Sequence, residues 1–283
     1  MPSLAQKIAS VLVSAVLAFL ILMAGQIPWS VLLALNFRNR TSAVPWSVAV
    51  MAVVLWLMWQ YLGGKGWPRS TSEKRRRLLR ANPVPPKTFA LSFLCGVLAV
   101  VALAGYWIVF FQLVKTPPNV LADISKYPLL TVVLVIAMSS LVSPICEEIA
   151  FRGYAQEILE SRFSEGVAII LSSLLFMLAH ANHGLYWPKL TVYFLVGVVF
   201  GAIAPMTNSI LTTLPVHIVG DVTFFVLIWP RDAARVLVTE GGMDKWFWVH
   251  AMQAILFTLL ALVGFWYLKK QGERVLALER ARL

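Results

Sequence analysis

The sequence predicts an all-α fold, a polytopic membrane helix bundle of about eight transmembrane helices. Of the 283 residues, 59% are hydrophobic and only 13% are charged. The apolar residues form successive runs of roughly 17 to 28 residues, and a helix needs about 20 to cross a bilayer. The first run, Ile8 to Leu35, is too long for the roughly 7 to 15 apolar residues of a secretory signal, so we interpret it as a retained helix.

The other helices follow from apolar runs that are bounded by charged and turn residues. The predicted helices cover residues 8–35, 44–63, 88–114, 129–160, 167–182, 190–204, 209–229 and 246–268. The run that starts at 129 continues to about 160, because Ile149, Phe151, Tyr154 and Ile158 extend its apolar pattern. No stretch has the composition of a soluble domain, so we expect one membrane domain over 1–283, ending in a basic tail, 269–283.

The net charge of +11 is distributed unevenly between the predicted loops. If the N-terminus is cytoplasmic, 16 of the 24 Lys and Arg residues lie on the cytoplasmic side, which predicts a multi-pass protein with both termini in the cytoplasm. The basic cluster at Lys74, Arg75, Arg76, Arg77 and Arg80 serves as a topology signal, or in addition contacts anionic lipid headgroups. Nucleic acid is not an expected partner, because aromatic residues are not interleaved with the basic ones.

Ionisable residues recur at one predicted depth in three of the helices. Glu147 lies 16 residues before, and His180 17 residues after, a turn near Phe163. At about 1.5 Å per residue, both are roughly 25 Å from that turn if the helices are antiparallel. His217 and Asp221 fall in the middle third of the helix 209–229. Ionisable residues inside a membrane are costly and mark candidate functional sites.

Within these helices, polar and aromatic residues occur in pairs four positions apart, which places each pair on one helix face. The pairs are Glu148 with Arg152, Phe176 with His180, and His217 with Asp221. We expect Arg152 to neutralise Glu148 locally. Glu147, turned by about 100° on the helical wheel, then points elsewhere.

A glutamate beside an imidazole can deprotonate a water, and a second imidazole can donate to the oxyanion formed on attack at a carbonyl. This chemistry suits amide hydrolysis. The motifs of other intramembrane proteases are missing: there is no H-E-x-x-H, no G-x-S-x-G and no second intramembrane aspartate. Cys146 is a poor nucleophile in an apolar setting. Glu147, His180 and His217 could together make a zinc site of two histidines and a glutamate, which stays open as an alternative.

Three segments carry a resemblance to a known family. "EEIAFR" (Glu147, Glu148, Arg152), "FMLAH" (Phe176, His180) and "HIVGD" (His217, Asp221) resemble, in order and spacing, the motifs EExxxR, FxxxH and HxxxN/D. These are motifs of the CAAX protease and bacteriocin-processing (CPBP) family of intramembrane glutamate proteases. The resemblance covers a catalytic core of about 130–230, whereas the helices over 8–114 are similar to the family only in being hydrophobic.

The resemblance implies a role for each motif residue. Glu147 would be the general base, His180 would help to hold the water, and Glu148 with Arg152 would brace the site. His217 and Asp221 would form the oxyanion pocket, without a metal or other cofactor. The family often has asparagine in place of Asp221, so Asp221 is either a protonated donor or an acceptor that orients His217, and we favour the second.

The resemblance implies a membrane-associated peptide or protein as substrate, approached within the lipid bilayer. The family's eukaryotic members cut the last three residues from prenylated CAAX proteins, and bacterial relatives process or protect against small peptides. Two other hypotheses stay open: a small-solute transporter, and a non-catalytic membrane chaperone or immunity scaffold of the same fold. Replacing Glu147 with Gln separates an enzyme from a scaffold.

Overall fold

The computed structural model describes residues 2–38, 44–115, 127–181 and 184–280, with side chains throughout except at 233–234 and 272–280. All regular elements of this part are helical, which confirms the all-α prediction. The α-helices are α1 (Leu4–Arg38), α2 (Trp46–Leu62), α3 (Ser72–Leu79), α4 (Pro86–Leu113), α5 (Leu129–Glu147), α6 (Gln156–Glu160), α7 (Glu165–Ala179), α8 (Trp187–Thr207), α9 (Thr213–Thr223), α10 (Val238–Gly241) and α11 (Lys245–Arg280). Residues Glu148–Ala155 and Phe224–Ile228 are π-helical, and Arg69–Thr71 and Trp229–Ala234 are 3₁₀.

In the part of the chain that the structure describes, six helical segments are long and apolar enough to cross a membrane. These are Leu4–Arg38, Pro86–Leu113, Leu129–Glu160, Trp187–Thr207, Thr213–Asp232 and Lys245–Gln271. With the shorter apolar helices Trp46–Leu62 and Glu165–Ala179, they correspond one to one to the eight predicted segments. The cytoplasmic orientation of both termini stays a prediction.

Several predicted helix ends differ from the structure by a few residues, and two of the differences concern segments discussed above. The helix α11 continues to Arg280 through most of the predicted basic tail 269–283, which itself stays a prediction; residues 281–283 and the side chains beyond 271 lie outside the described part. The helix predicted over 209–229 begins at Thr213 instead, because Asn208 takes a left-handed conformation (φ 49°) and residues 209–212 form a turn.

Backbone contacts divide the chain into two compact units, and the predicted single domain stays a prediction. The first unit comprises Met1–Ala81 and Val120–Ser164, hence α1 to α3, α5 and α6. Small residues let its helices approach closely, as is usual in membranes. Gly25 of α1 lies directly against the side chain of Cys146, and the Ser14 hydroxyl donates to the Ala155 carbonyl at 3.2 Å.

The second unit comprises Asn82–Asn119 and Glu165–Leu283. Here α4 packs against α11, and the Gln253 side-chain amide donates to the Val101 carbonyl at 2.8 Å. A Cβ on Gly105 would lie 2.8 Å from the His250 carbonyl oxygen, so only glycine permits this approach. The stacked rings of Trp107 and Phe111, 4.4 Å apart, form part of the apolar core beside α8.

Candidate active site

The first unit contributes the two glutamates and the arginine. Pro144 lies inside α5, three residues before Glu147, and has no N–H to continue the backbone ladder. The α-helical part ends at Glu147, and the helix continues without a break as eight π-helical residues, Glu148–Ala155. π-Helical segments are rare in proteins, and those that do occur are often found at functional sites. The predicted helix to about 160 is therefore present, but its hydrogen-bonding pattern changes at the motif.

Glu148 and Arg152 form the predicted ion pair inside this π-helical segment. The Arg152 Nε atom lies 3.8 Å from Glu148 Oε1, and both side chains are fully buried. Charges so deeply buried are tolerated in proteins only when they have partners. The pair therefore places an internally neutralised polar group one residue beyond Glu147.

Glu147 is itself buried, with 3% of its surface exposed. The Ser143 hydroxyl, one turn earlier on α5, donates to Glu147 Oε1 at 2.5 Å. Such a short hydrogen bond to a carboxylate fixes the side-chain direction. Ser143 was absent from the sequence prediction, although its spacing of four from Glu147 is the signal that identified the other pairs.

His180 belongs to the second unit and lies just beyond the last residue of α7. Its Nδ1 atom lies 2.9 Å from the Phe176 carbonyl oxygen, which can only accept, so Nδ1 carries the hydrogen. In the neutral ring, Nε2 is then an acceptor. The Tyr193 ring of α8 stacks on the imidazole, with centroids 4.1 Å apart. These contacts hold both the orientation and the tautomer of His180.

His217 lies in the second turn of α9 and is buried. Its Nε2 atom is 3.7 Å from Asp221 Oδ1, so the predicted pair faces one another. The Phe200 ring packs on the imidazole at 4.6 Å, and Phe176 approaches it at 6.2 Å. Because Phe176 also lies 4.7 Å from His180, one phenylalanine contacts both histidines of the motif set.

A polar turn determines where α9 starts and therefore where His217 lies. The Ser209 hydroxyl donates to the Asn82 carbonyl at 2.6 Å, and the Asn82 amide donates to the Asn208 carbonyl at 2.8 Å. The hydroxyls of Thr207 and Thr212 lie 2.8 Å apart across the same turn. These bonds join the end of α8 and the start of α9 to the residues that precede α4.

A comparison with known protein families finds a match over part of the chain. Residues 129–223 match the family described as type II CAAX prenyl endopeptidase Rce1-like. This part of the chain is similar to that family, and we call residues 129–223 the Rce1-like segment. The match confirms the family resemblance and falls within the predicted core, and with the apolar helices it supports an integral membrane protein of protease type. No curated protein and no solved structure matches the chain.

The Rce1-like segment is shared between the two units. Glu147, Glu148 and Arg152 lie in the first unit, whereas His180, His217 and Asp221 lie in the second. Within each unit taken by itself, the described residues contain no group of three His, Cys, Asp or Glu side chains that could hold a metal ion. The zinc set of Glu147, His180 and His217, which draws on both units, therefore stays a prediction.

Gly96 of α4 offers a test of how α9 is held within the Rce1-like segment. A Cβ at this position would lie 2.6 Å from Val216 Cγ2, next to His217. We expect Gly96→Ala to push α9 away and to lower turnover in a peptide-hydrolysis assay at least tenfold, because the predicted site residue His217 would move with the helix and small displacements of reacting groups are costly. Gly166→Ala is the control, since its Cβ would meet nothing within 4 Å. Equal turnover of the two variants would contradict the prediction.

Proposed function

We propose that this protein is a membrane endopeptidase that hydrolyses a peptide bond in or near the bilayer with a glutamate-activated water. The observation that carries the proposal is the buried Glu147, held by Ser143, within the Rce1-like segment. Its neighbour Glu148 is already paired with Arg152, so the two adjacent carboxylates are suited to different tasks. A scaffold or a transporter has no need for this division.

In the proposed reaction, Glu147 removes a proton from a water, and the water oxygen attacks the carbonyl carbon of the substrate. The C–N bond then breaks, and the proton held by Glu147 passes to the leaving nitrogen. His180 is suited to holding the water, because the Nε2 atom of its neutral ring accepts a hydrogen bond. The proposal requires Glu147 and the two histidines to act on the same substrate bond.

His217 is proposed to donate a hydrogen bond to the oxyanion that forms on the carbonyl oxygen. With Nε2 turned toward an ionised Asp221, the ring can donate from Nδ1 when both ring nitrogens carry a hydrogen. Asp221 is suited to stabilising that form as a carboxylate. This supports an orienting role for Asp221 rather than that of a neutral donor.

The substrate class to test first is a protein or peptide with a prenylated C-terminus, because the matched family is described by that activity. The experiment compares terminal peptides in membranes of cells that carry the wild type or Glu147→Gln. We expect at least one C-terminal fragment that appears only with the wild type. Identical peptide sets, with a phenotype that the variant retains, would favour the scaffold hypothesis.

The Asp221→Asn variant separates the two roles of this residue. An asparagine cannot supply negative charge to a protonated imidazole, but its amide can donate to an oxyanion. We expect kcat to fall at least about 100-fold, the lower end of the range that positioned acid–base groups contribute. Near-normal turnover of purified protein in lipid discs would instead assign the donor role to position 221.

Metal dependence is tested directly on the purified enzyme. A reaction driven by the Glu147 carboxylate needs no bound metal, so we expect turnover within about twofold of normal after prolonged dialysis against a strong chelator. Loss of activity that returns on addition of zinc would support the set of Glu147, His180 and His217 as metal ligands instead.

A further inference from the structure

The short helix α3 and the residues that lead into it present an exposed basic surface outside the site described above. Its members are Lys65, Arg69, Lys74, Arg76 and Arg77, which we call the α3 basic surface, and all five are exposed. The acidic Glu73 is also exposed on the same helix. Even with Glu73 included, the surface carries a clear excess of positive charge over a stretch of 13 residues, from 65 to 77.

Two other arginines of this region, Arg75 and Arg80, are buried and bind other parts of the protein. This corrects the prediction that they belong to a cluster able to contact lipid headgroups. Arg75 is buried and donates to the carbonyls of Tyr61, Lys65, Gly66 and Pro68. Arg80 is buried and lies 3.0 Å from Glu160 and 3.8 Å from Glu157. Neither side chain is directed to lipid headgroups, because each is enclosed by its partners. They shape the loop and fix α3 in place.

The neighbours of α3 suit a helix that lies at a membrane surface. The α3 helix follows the apolar helix α2 after nine residues and contacts the last turns of the span Leu129–Glu160. Trp67, between Lys65 and Arg69, is 85% exposed. Tryptophan and basic residues are enriched where a protein meets the headgroup layer.

We propose that the α3 basic surface binds the headgroups of anionic phospholipids and thereby holds the π-helical segment of the active site. The charges complement a phosphate-bearing, negatively charged headgroup, and each Lys or Arg near such a membrane surface contributes about fivefold in affinity. The exposed Trp67 supplies the apolar contact with the lipid at the same level.

Direct contacts join α3 to the segment that carries Glu148 and Arg152. A Cβ on Gly153 would lie 2.9 Å from the Leu78 carbonyl oxygen and 3.1 Å from that of Leu79, so the end of α3 touches this backbone. One residue later, the Tyr154 hydroxyl donates to the Leu62 carbonyl at 2.9 Å. A lipid that holds α3 therefore also restrains Gly153, the neighbour of Arg152.

The test measures lipid binding by native mass spectrometry of the full-length protein in a neutral detergent. Phosphatidylglycerol is titrated, with phosphatidylcholine as the neutral reference. We expect wild type to bind phosphatidylglycerol at least tenfold more tightly, and the triple variant Lys74→Ser, Arg76→Ser, Arg77→Ser to lose at least tenfold. Glu73→Gln should tighten binding about fivefold, since it removes the opposing charge.

Two controls separate the surface from general charge. The swap Lys74→Arg, Arg76→Lys, Arg77→Lys keeps every charge and should bind within about twofold of wild type. The variant Lys115→Ser, Arg231→Ser, Lys245→Ser removes three exposed positive charges outside the α3 basic surface. It should also bind phosphatidylglycerol within about twofold of wild type. The proposal would be overturned if this distant variant lost as much affinity for phosphatidylglycerol as the triple Ser variant of α3. Equal affinity of the wild type for phosphatidylglycerol and phosphatidylcholine would overturn it too. If the triple Ser variant does not fold, an unchanged affinity in Glu73→Gln overturns it as well.

The effect on activity rests on the proposed function and is measured separately. In vesicles, turnover should rise at least threefold as phosphatidylglycerol replaces phosphatidylcholine, and the triple Ser variant should not respond. Absence of any hydrolysis would reject the proposed function while leaving the binding result intact. Hydrolysis that is equally fast in both lipids, with binding as expected, would reject the coupling to the π-helical segment.

Discussion

Glu147→Gln should lower peptide hydrolysis by about 10²- to 10⁴-fold, the contribution of a positioned general base, while the protein remains folded. The glutamine side chain is nearly the same shape and keeps an oxygen that can accept the Ser143 hydrogen bond. It cannot take a proton from water. The measurement is kcat on a quenched prenylated peptide, with the purified variant in lipid discs.

Glu165→Gln is the matched control, since it makes the same chemical change at an exposed position at the start of α7. We expect this control to hydrolyse the peptide at the wild-type rate. If Glu147→Gln retained more than about a tenth of the wild-type kcat with an unchanged melting temperature, Glu147 would not be the base, and the mechanism would need another residue.

Arg152→Met should destabilise the protein by about 3–5 kcal/mol, because it leaves Glu148 buried without its cation. The double variant Glu148→Gln, Arg152→Met removes both charges and should recover most of that loss. Unfolding in a titration with sodium dodecyl sulfate, followed by tryptophan fluorescence, gives the free energies of unfolding for the cycle.

Arg162→Met serves as the control for the loss of an arginine, because Arg162 is exposed in the turn after α6. A change of less than about 0.5 kcal/mol is expected there. If the loss in the double variant equalled the sum of the losses in Glu148→Gln alone and Arg152→Met alone, the two side chains would not be coupled. The pair would then act through separate contacts and not as a brace.

The eight apolar segments were predictable because the bilayer imposes their length and composition directly on the sequence. The pairs Glu148 with Arg152 and His217 with Asp221 were predictable for a local reason, since residues four apart on a helix share a face. These features require no knowledge of distant parts of the chain. A convergence of Glu147 with the two histidines would instead depend on contacts between distant parts of the chain, and it stays a prediction.

Other features depend on tertiary contacts that leave no periodic signal. The π-helical segment is packed at Gly153 against carbonyls of α3, and residues 72–79 were not predicted to be helical at all. Tyr193 and Phe200 reach the two histidines from α8, which is a different helix with no motif spacing. The sequence alone also could not distinguish the buried Arg75 from its exposed neighbours, because loop carbonyls are its partners.

The pairing of α4 with α11 has a consequence for biogenesis. Val101 and Gln253, which join these helices, are 152 positions apart. At a synthesis rate of about 5–20 residues per second, α4 leaves the ribosome roughly 8 to 30 s before its partner. During that interval the surface around Gly105 has no α11 to cover it. An insertase or a lipid-facing chaperone that shields α4 would protect the nascent chain from premature association.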